Sequence, residues 1–204
     1  QESAASSSLA LTIDTTAPEA PVITTTTDLT NDNTPVIQGT AEIGSTITLF
    51  SGDTSLGTVE AAEDGSFSIT SSQLADNDYT LTVKATDAAG NTSSASTALA
   101  LTIDTTAPST PSISTTTALT NDSTPVIQGT AEAGSTVELF NGDTSLGTAT
   151  ADSSGSFSIT TDELADNSYT LTVKATDAAG NESAASSALA LTIDTAAPEA
   201  PVIT

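Results

Sequence analysis

The chain contains no cysteine, histidine, tryptophan or methionine. Without cysteine no disulfide can staple the fold, and without cysteine or histidine a zinc or iron site lacks its usual ligands. Only Lys84 and Lys174 are basic, against 26 acids, for a net charge of −24. That balance excludes nucleic-acid binding, which needs a basic footprint, and attraction to anionic membranes. No apolar run approaches the ~20 residues of a membrane helix, so no membrane insertion is expected. No secretory leader is read, as suits an internal slice of a longer protein. Aromatic residues are 3% of the chain, leaving any core to Val, Ile, Leu and Ala. The missing histidine also removes the usual base for a Ser or Thr nucleophile. Paired acids without aromatics to line a sugar cleft do not suggest a glycosidase. No Gly-rich phosphate loop follows a strand. The chain is therefore not expected to be an enzyme.

What is present is repetition. The string LTIDTTAP occupies 11–18 and 101–108, and LTIDTAAP occupies 191–198, a period of 90 residues. Between 18–107 and 108–197 only 23 of the 90 aligned positions differ. A fixed period of this length marks a tandem array. The expected organisation is the closing strand of a preceding repeat at 1–13, two full repeats at 14–103 and 104–193, and the start of a following repeat at 194–204.

Within the first repeat, residues 20–23, 35–41, 46–50, 56–59, 66–70, 79–86 and 98–103 read as strands. In 79–86, Tyr79, Leu81, Val83 and Ala85 alternate with Thr80, Thr82, Lys84 and Thr86, the period-two pattern of a half-buried strand. Turn clusters separate the runs: 30–35, Glu42-Ile43-Gly44-Ser45, Ser51-Gly52-Asp53 and Glu63-Asp64-Gly65. About seven short strands in ~90–100 residues predict an all-β fold of tandem antiparallel immunoglobulin-like sandwiches joined end to end. Tyr79, just after 74–77, sits where a tyrosine corner is expected. A Ser/Thr-rich acidic chain could instead be a disordered stalk, but the alternation and the 36% hydrophobic content argue against it.

The segments NDNTPVIQGTAEIGSTITLF and FSITSSQLADNDYTLTVKATDAAGNTS, with DTTAPxxP at the joint, resemble the bacterial Ig-like repeats of giant surface adhesins. These include the biofilm-associated Bap-type proteins and the calcium-dependent RTX adhesins. The resemblance covers both full repeats. It implies extracellular extender arrays at the bacterial cell surface, often bridged by Ca²⁺.

A sandwich whose strands run up and down places successive loops at alternate poles. Asn31, Asp32, Asp53, Asp76 and Asp78 then share the C-terminal pole of the first repeat. Glu132, Asp152, Asp177 and Asn181 share the N-terminal pole of the second. Asp104 lies in the short joint between them. Two carboxylates about 5 Å apart repel by roughly 3 kcal/mol at an effective dielectric near 20, so a crowded joint calls for a cation. Ca²⁺, which accepts irregular sets of six to eight oxygens, suits it better than octahedral Mg²⁺. The expected ligands are Asp104, Glu132 and Asp177, with Asn181 adding an amide oxygen and Asp76 or Asp32 closing the set. At the preceding joint they are Asp14, Glu42, Asp87 and Asn91. The bland alternative is a set of solvated surface acids. No EF-hand loop is present, so any site is assembled from separate loops.

The expected function is a structural extender of a secreted adhesin. It would be a monomeric rod whose partners are the neighbouring repeats of its own chain, stiffened by Ca²⁺ at the joints. The alternatives are a ligand- or glycan-binding module and homotypic adhesion between cells.

Overall fold

The computed structural model describes residue 7 and residues 9–202. The chain divides into two compact units, Gln1–Asp104 and Thr105–Thr204. Among the described residues every regular element is a strand.

The first unit contains β1 (Val22–Ile23), β2 (Leu29–Thr30), β3 (Val36–Thr40), β4 (Thr46–Ser51), β5 (Thr54–Glu60), β6 (Ser66–Thr70), β7 (Asn77–Thr86) and β8 (Leu99–Ile103). A sheet of order β1-β3-β6 faces a sheet of order β2-β8-β7-β4-β5. Strand pairs are antiparallel except β2 and β8, which run parallel. Alternation drives the assembly. In β3 and β6 every second residue is buried, and Ile37, Phe67 and Ile69 meet Ile47, Leu49, Leu81, Val83, Leu101 and Ile103 across the sandwich. Burying a Leu or Ile side chain contributes about 1.5–3 kcal/mol, so aliphatic residues sustain a core with one fully internal aromatic ring, Phe67.

The second unit repeats this arrangement with β9 (Ser112–Ile113), β10 (Leu119–Thr120), β11 (Val126–Thr130), β12 (Thr136–Asn141), β13 (Thr144–Thr150), β14 (Ser156–Thr160), β15 (Asn167–Thr176) and β16 (Leu189–Ile193). Its sheets are β14-β11-β9 and β10-β16-β15-β12-β13.

Eight strands replace the expected seven because the first is split. After β1 pairs with β3, the chain crosses to the other sheet and β2 joins β8. Thr25 assists the crossing by accepting the Gln38 N–H on its hydroxyl at 2.8 Å. The connectivity is correspondingly not a plain up-and-down traverse, since consecutive strands change sheets. Asp78, expected in a loop, lies inside β7 and accepts the Thr102 hydroxyl at 2.6 Å. Phe50, on β4, is turned to the outer face beneath the Lys84 ammonium, 5.7 Å from the ring centre. The tyrosine corner is present in both units: Tyr79 donates to the Ala75 carbonyl at 3.0 Å and Tyr169 to that of Ala165 at 2.9 Å.

Gly39 has a steric role. A Cβ there would strike the Val22 carbonyl oxygen and the Phe67 ring, and Gly129 is crowded in the same way by Ser112 and Phe157. Glycine lets β1 close over the sheet.

Residues 9–13 repeat the sequence of β8 but form no strand, and Leu9, Leu11 and Ile13 are 76–87% exposed. The remainder of the expected preceding strand, residues 1–6 and 8, lies outside the described residues, as do 203 and 204 at the start of the expected following repeat.

Candidate cation site

Turns fix the acidic loops before any cation is considered. In the first unit the reversal between β3 and β4 is closed by Ser45, whose N–H and hydroxyl both donate to the Glu42 carbonyl, at 3.1 and 2.7 Å. Gly44 supplies the positive φ of 73° that this turn requires. The register Thr46↔Thr86 sets the Glu42 turn beside the loop that follows β7. That loop is organised by Asp87. Its Oδ1 accepts the Ala89 and Asn91 N–H groups at 2.9 and 2.8 Å, and its Oδ2 accepts the Asn91 side-chain amide at 2.8 Å. The same amide donates to the Asp14 carbonyl at 3.2 Å. Asp14, Glu42 and Asp87 thus border one open cleft of about 430 Å³, with Thr12 and Ala88.

The second unit builds the same pole. Glu132 accepts from Ser135, and Asp177 is bonded by the Asn181 backbone at 2.9 Å and the Asn181 amide at 2.8 Å. At the other pole of the first unit, β8 lies between β2 and β7, with Ile103 opposite both Thr30 and Asn77. This brings Asp104, Asp76 and Asp32 to one end. Asp32 is engaged in its own turn, its Oδ1 accepting the Thr34 N–H and hydroxyl at 2.8 and 3.0 Å.

These bonds act on the carboxyl groups. The Asn91 side-chain amide, helped by backbone donors, holds Asp87 below its ordinary value of 3.8. For Asp177 partial burial pushes upward, but the Asn181 amide and three backbone N–H groups outweigh it and the net shift is downward. Asp64 and Asp152 are lowered by hydroxyl donors, Ser66 and Ser154. All four therefore stay ionised to more acid pH than an unassisted aspartate.

The oxygen donors are of the kind Ca²⁺ selects. A carboxylate carries about four lone-pair sites, so Asp87, with three donors, retains capacity for a cation. The Asn91 and Asn181 amide nitrogens, however, point at the aspartates. Among the described residues no group of three or more carboxylates is gathered to metal-binding distance. The carboxylates of each pole are thus held by their own turns and loops and not gathered around a common point.

Sequence reasoning missed a second polar feature of each unit. Between β7 and β8, Ser93 and Ser96 are 6% and 9% exposed. Ser93 donates its N–H to the Ala85 carbonyl at 2.8 Å and accepts the Ala85 N–H on its hydroxyl at 3.0 Å. Ser96 does the same with Val83, at 2.9 and 3.1 Å. Ser183 and Ser186 repeat both stitches in the second unit. Each serine stands in for a ladder partner where the chain is not yet a strand. The signal available was a serine pair three residues apart in both copies, weak in a Ser-rich chain.

Two facing sheets, antiparallel but for one short parallel pair, with a split first strand and a tyrosine corner, define an immunoglobulin-like β-sandwich, present twice. The family model for the bacterial Ig-like domain matches residues 11–105 and 107–195. The chain belongs to that family. A relative, Exoglucanase B of Cellulomonas fimi, is 34% identical over 194 residues, which is 89% of this chain and 17% of that protein. The chain spans 13–26% of the length of the curated relatives it matches. Among solved structures, the fibronectin(III)-like modules of Clostridium thermocellum CbhA superpose with a TM-score of 0.56 at 15% identity, over 84% of this chain and 92% of that one. A biofilm associated protein BSP domain aligns at 25% identity over 87% of this chain and 30% of its own, with a TM-score of only 0.35.

Proposed function

We propose that the two units are extender modules of a secreted bacterial surface adhesin, non-catalytic, set in series to hold a distal adhesive region away from the cell. The observation that carries this reading is the near-duplication of a complete sandwich every 90 residues, with acids held ionised at loops of the poles. Ca²⁺ is the proposed stiffening cofactor. Asp14, Glu42, Asp87 and Asn91 would hold it at one joint. In the first unit Asp104, with Asp32 or Asp76, would offer it oxygens at the other pole, and in the second unit Glu132, Asp177 and Asn181 would do so at theirs. The cation would offset carboxylate repulsion and order the short linker. The module then acts as a monomeric strut whose partners are its neighbours in the chain, outside the cell. A calcium affinity of about 10⁻⁴–10⁻³ M, usual for extracellular modules, would leave the array loose before export and stiff after it.

The relation to Exoglucanase B favours one second reading, spacer modules within a secreted polysaccharide-degrading enzyme. Both readings give the units the same mechanical task and differ in what lies at the end of the array.

The calcium test is titration of the chain with Ca²⁺ by calorimetry and thermal melting, beside an Asp104→Ala variant and a chelator control. A ligand at 100 times its Kd stabilises the folded state by about 2.7 kcal/mol. Melting should shift upward with Ca²⁺ in the native chain, and less in the variant. An unchanged melting point and no binding heat would remove calcium from the proposal.

A further inference from the structure

We infer that each unit carries one concealed cleavage site for a lysine-directed endoprotease, in its central strand, and that the site opens only when the sandwich does. Lys84 and Lys174 are the only basic residues of the chain. A protease whose specificity pocket takes a cationic side chain therefore has two bonds to attack, Lys84–Ala85 and Lys174–Ala175. Nicking ordinarily falls on exposed loops and tips. Here the loops, the turns and the joint at 104–111 are all without a basic residue. Both lysines lie instead in the ten-residue strands β7 and β15.

The side chain is within reach but the bond is not. Lys84 is exposed, its ammonium resting over Phe50. Hydrolysis, however, needs several residues of main chain around the bond, extended and free to pair with the enzyme's cleft. In β7 that main chain is taken on both sides. Along one side it pairs with β4, Thr82 opposite Phe50, Lys84 opposite Thr48 and Thr86 opposite Thr46. Along the other, the Ser96 and Ser93 hydroxyls hold the Val83 and Ala85 N–H groups at 3.1 and 3.0 Å, and Thr86 forms a bridge with Thr92. Val83 and Ala85, on either side of the lysine, are fully buried. The second unit repeats this. Lys174 lies opposite Glu138 on β12, and Ser186 and Ser183 hold the Val173 and Ala175 N–H groups at 3.0 and 2.9 Å. Departure of the 92–97 segment alone leaves β4 in place. To enter a protease cleft, β7 must also leave β4, which draws Leu81, Val83 and Ala85 out of the core. Cleavage then adds water across the Lys84–Ala85 peptide, leaving a carboxylate on Lys84 and an ammonium on Ala85. The central strand is divided between two fragments.

Where opening and closing are fast relative to cleavage, cutting follows the population of the open form. A folded unit is thus passed over and an unfolded one is cut. The inference holds whether the array projects an adhesive region or separates the parts of an enzyme, and it does not depend on calcium.

The test is digestion of the whole chain with trypsin, followed by mass measurement of the products. Unfolded in urea, the chain should be cut after both lysines, giving 1–84, 85–174 and 175–204. Folded, it should be cut more slowly by on the order of 10³-fold or more, the ratio of folded to open molecules at the low end of domain stability. Leu49→Ala should speed cutting after Lys84 by roughly 30-fold or more, the population change expected of a core cavity. It should leave cutting after Lys174 at its native rate, and Leu139→Ala should do the reverse. Leu11→Lys places a basic residue in an exposed stretch outside any strand. The folded variant should be clipped there while Lys84 and Lys174 of the same molecules survive. Equal rates in the folded and unfolded chain, or cutting after Lys84 indifferent to Leu49→Ala, would overturn the inference. So would refusal at position 11, which would move the protection from strand placement to the acidic surface.

Discussion

The two units are a natural experiment in which residues matter. Of their 23 differences, the positions buried in both copies are Ile47/Val137 and Ser71/Thr161, each a change of one methyl group. The remaining changes fall where side chains reach water, and several swap one polar arrangement for an equivalent one. Asp64 closes the turn before β6 by accepting from Ser66. In the second copy Asp152, two residues earlier in the repeat, closes the same turn through Ser154 and Ser156. Asp78 accepts from Thr102 in one unit, whereas Ser168 and Thr192 share a hydrogen bond in the other. Lys84 rests over Phe50 with Thr92 nearby in the loop. Lys174, over Phe140, also bonds Glu182 at 2.9 Å. The comparison teaches that backbone requirements are fixed while the side chains meeting them at the surface are exchangeable.

The sharpest way to break this equivalence is to damage one core only. Leu49→Ala or Leu139→Ala, each at a fully buried site, should cost about 2–5 kcal/mol. Calorimetry should then resolve a low-melting transition for the altered unit beside a normal one for its neighbour. A single shifted transition would show that the units do not unfold independently. Next in size are the stitches. Ser96→Ala or Ser186→Ala strands a buried N–H and should cost about 1–3 kcal/mol by denaturant titration. The loss should be equal in the two units, because the geometry is the same.

The pH dependence has a definite sign. Asp87 and Asp177 titrate below their ordinary value of 3.8 in the folded chain. Their stabilising effect is thus complete above that value and is lost as pH falls through the lowered one. In a melting series from neutral pH to below 3.8 without calcium, native protein should lose its advantage over Asp87→Asn and Asp177→Asn variants at the acid end. An advantage constant across the series would contradict the assigned bonds. Smallest of all, Glu182→Thr copies the first unit into the second and removes a surface ion pair whose partners are 37% and 54% exposed. The expected cost is about 0.2–1 kcal/mol, shrinking with salt.

The sheet residues were legible from the sequence because a period of two is imposed by the pleat itself. The alternation of Tyr79, Leu81, Val83 and Ala85 announces its buried side directly. The split of the first strand was not legible, since a two-residue strand such as Leu29–Thr30 has no period to display and rests on partners 70 residues away. The acidic poles were half legible. Loop order sends Glu42 and Asp87 to one pole, and Asp32, Asp76 and Asp104 to the other. The grip of Asn91 and Asn181 on their aspartates depends on loop geometry that composition does not encode. Phe50 follows the same rule: its place in the alternation is opposite to that of Leu49, and it sits outside the core.

The serine stitches have an observable consequence in amide exchange. The N–H groups of Val83 and Ala85 face no strand along this stretch, so a strand map alone would mark them for rapid deuterium uptake. Capped by buried hydroxyls, they open only when the module opens more widely. They should retain their protons as long as amides in the middle of the sheet, extending the slow-exchanging zone past the point where the ladder ends.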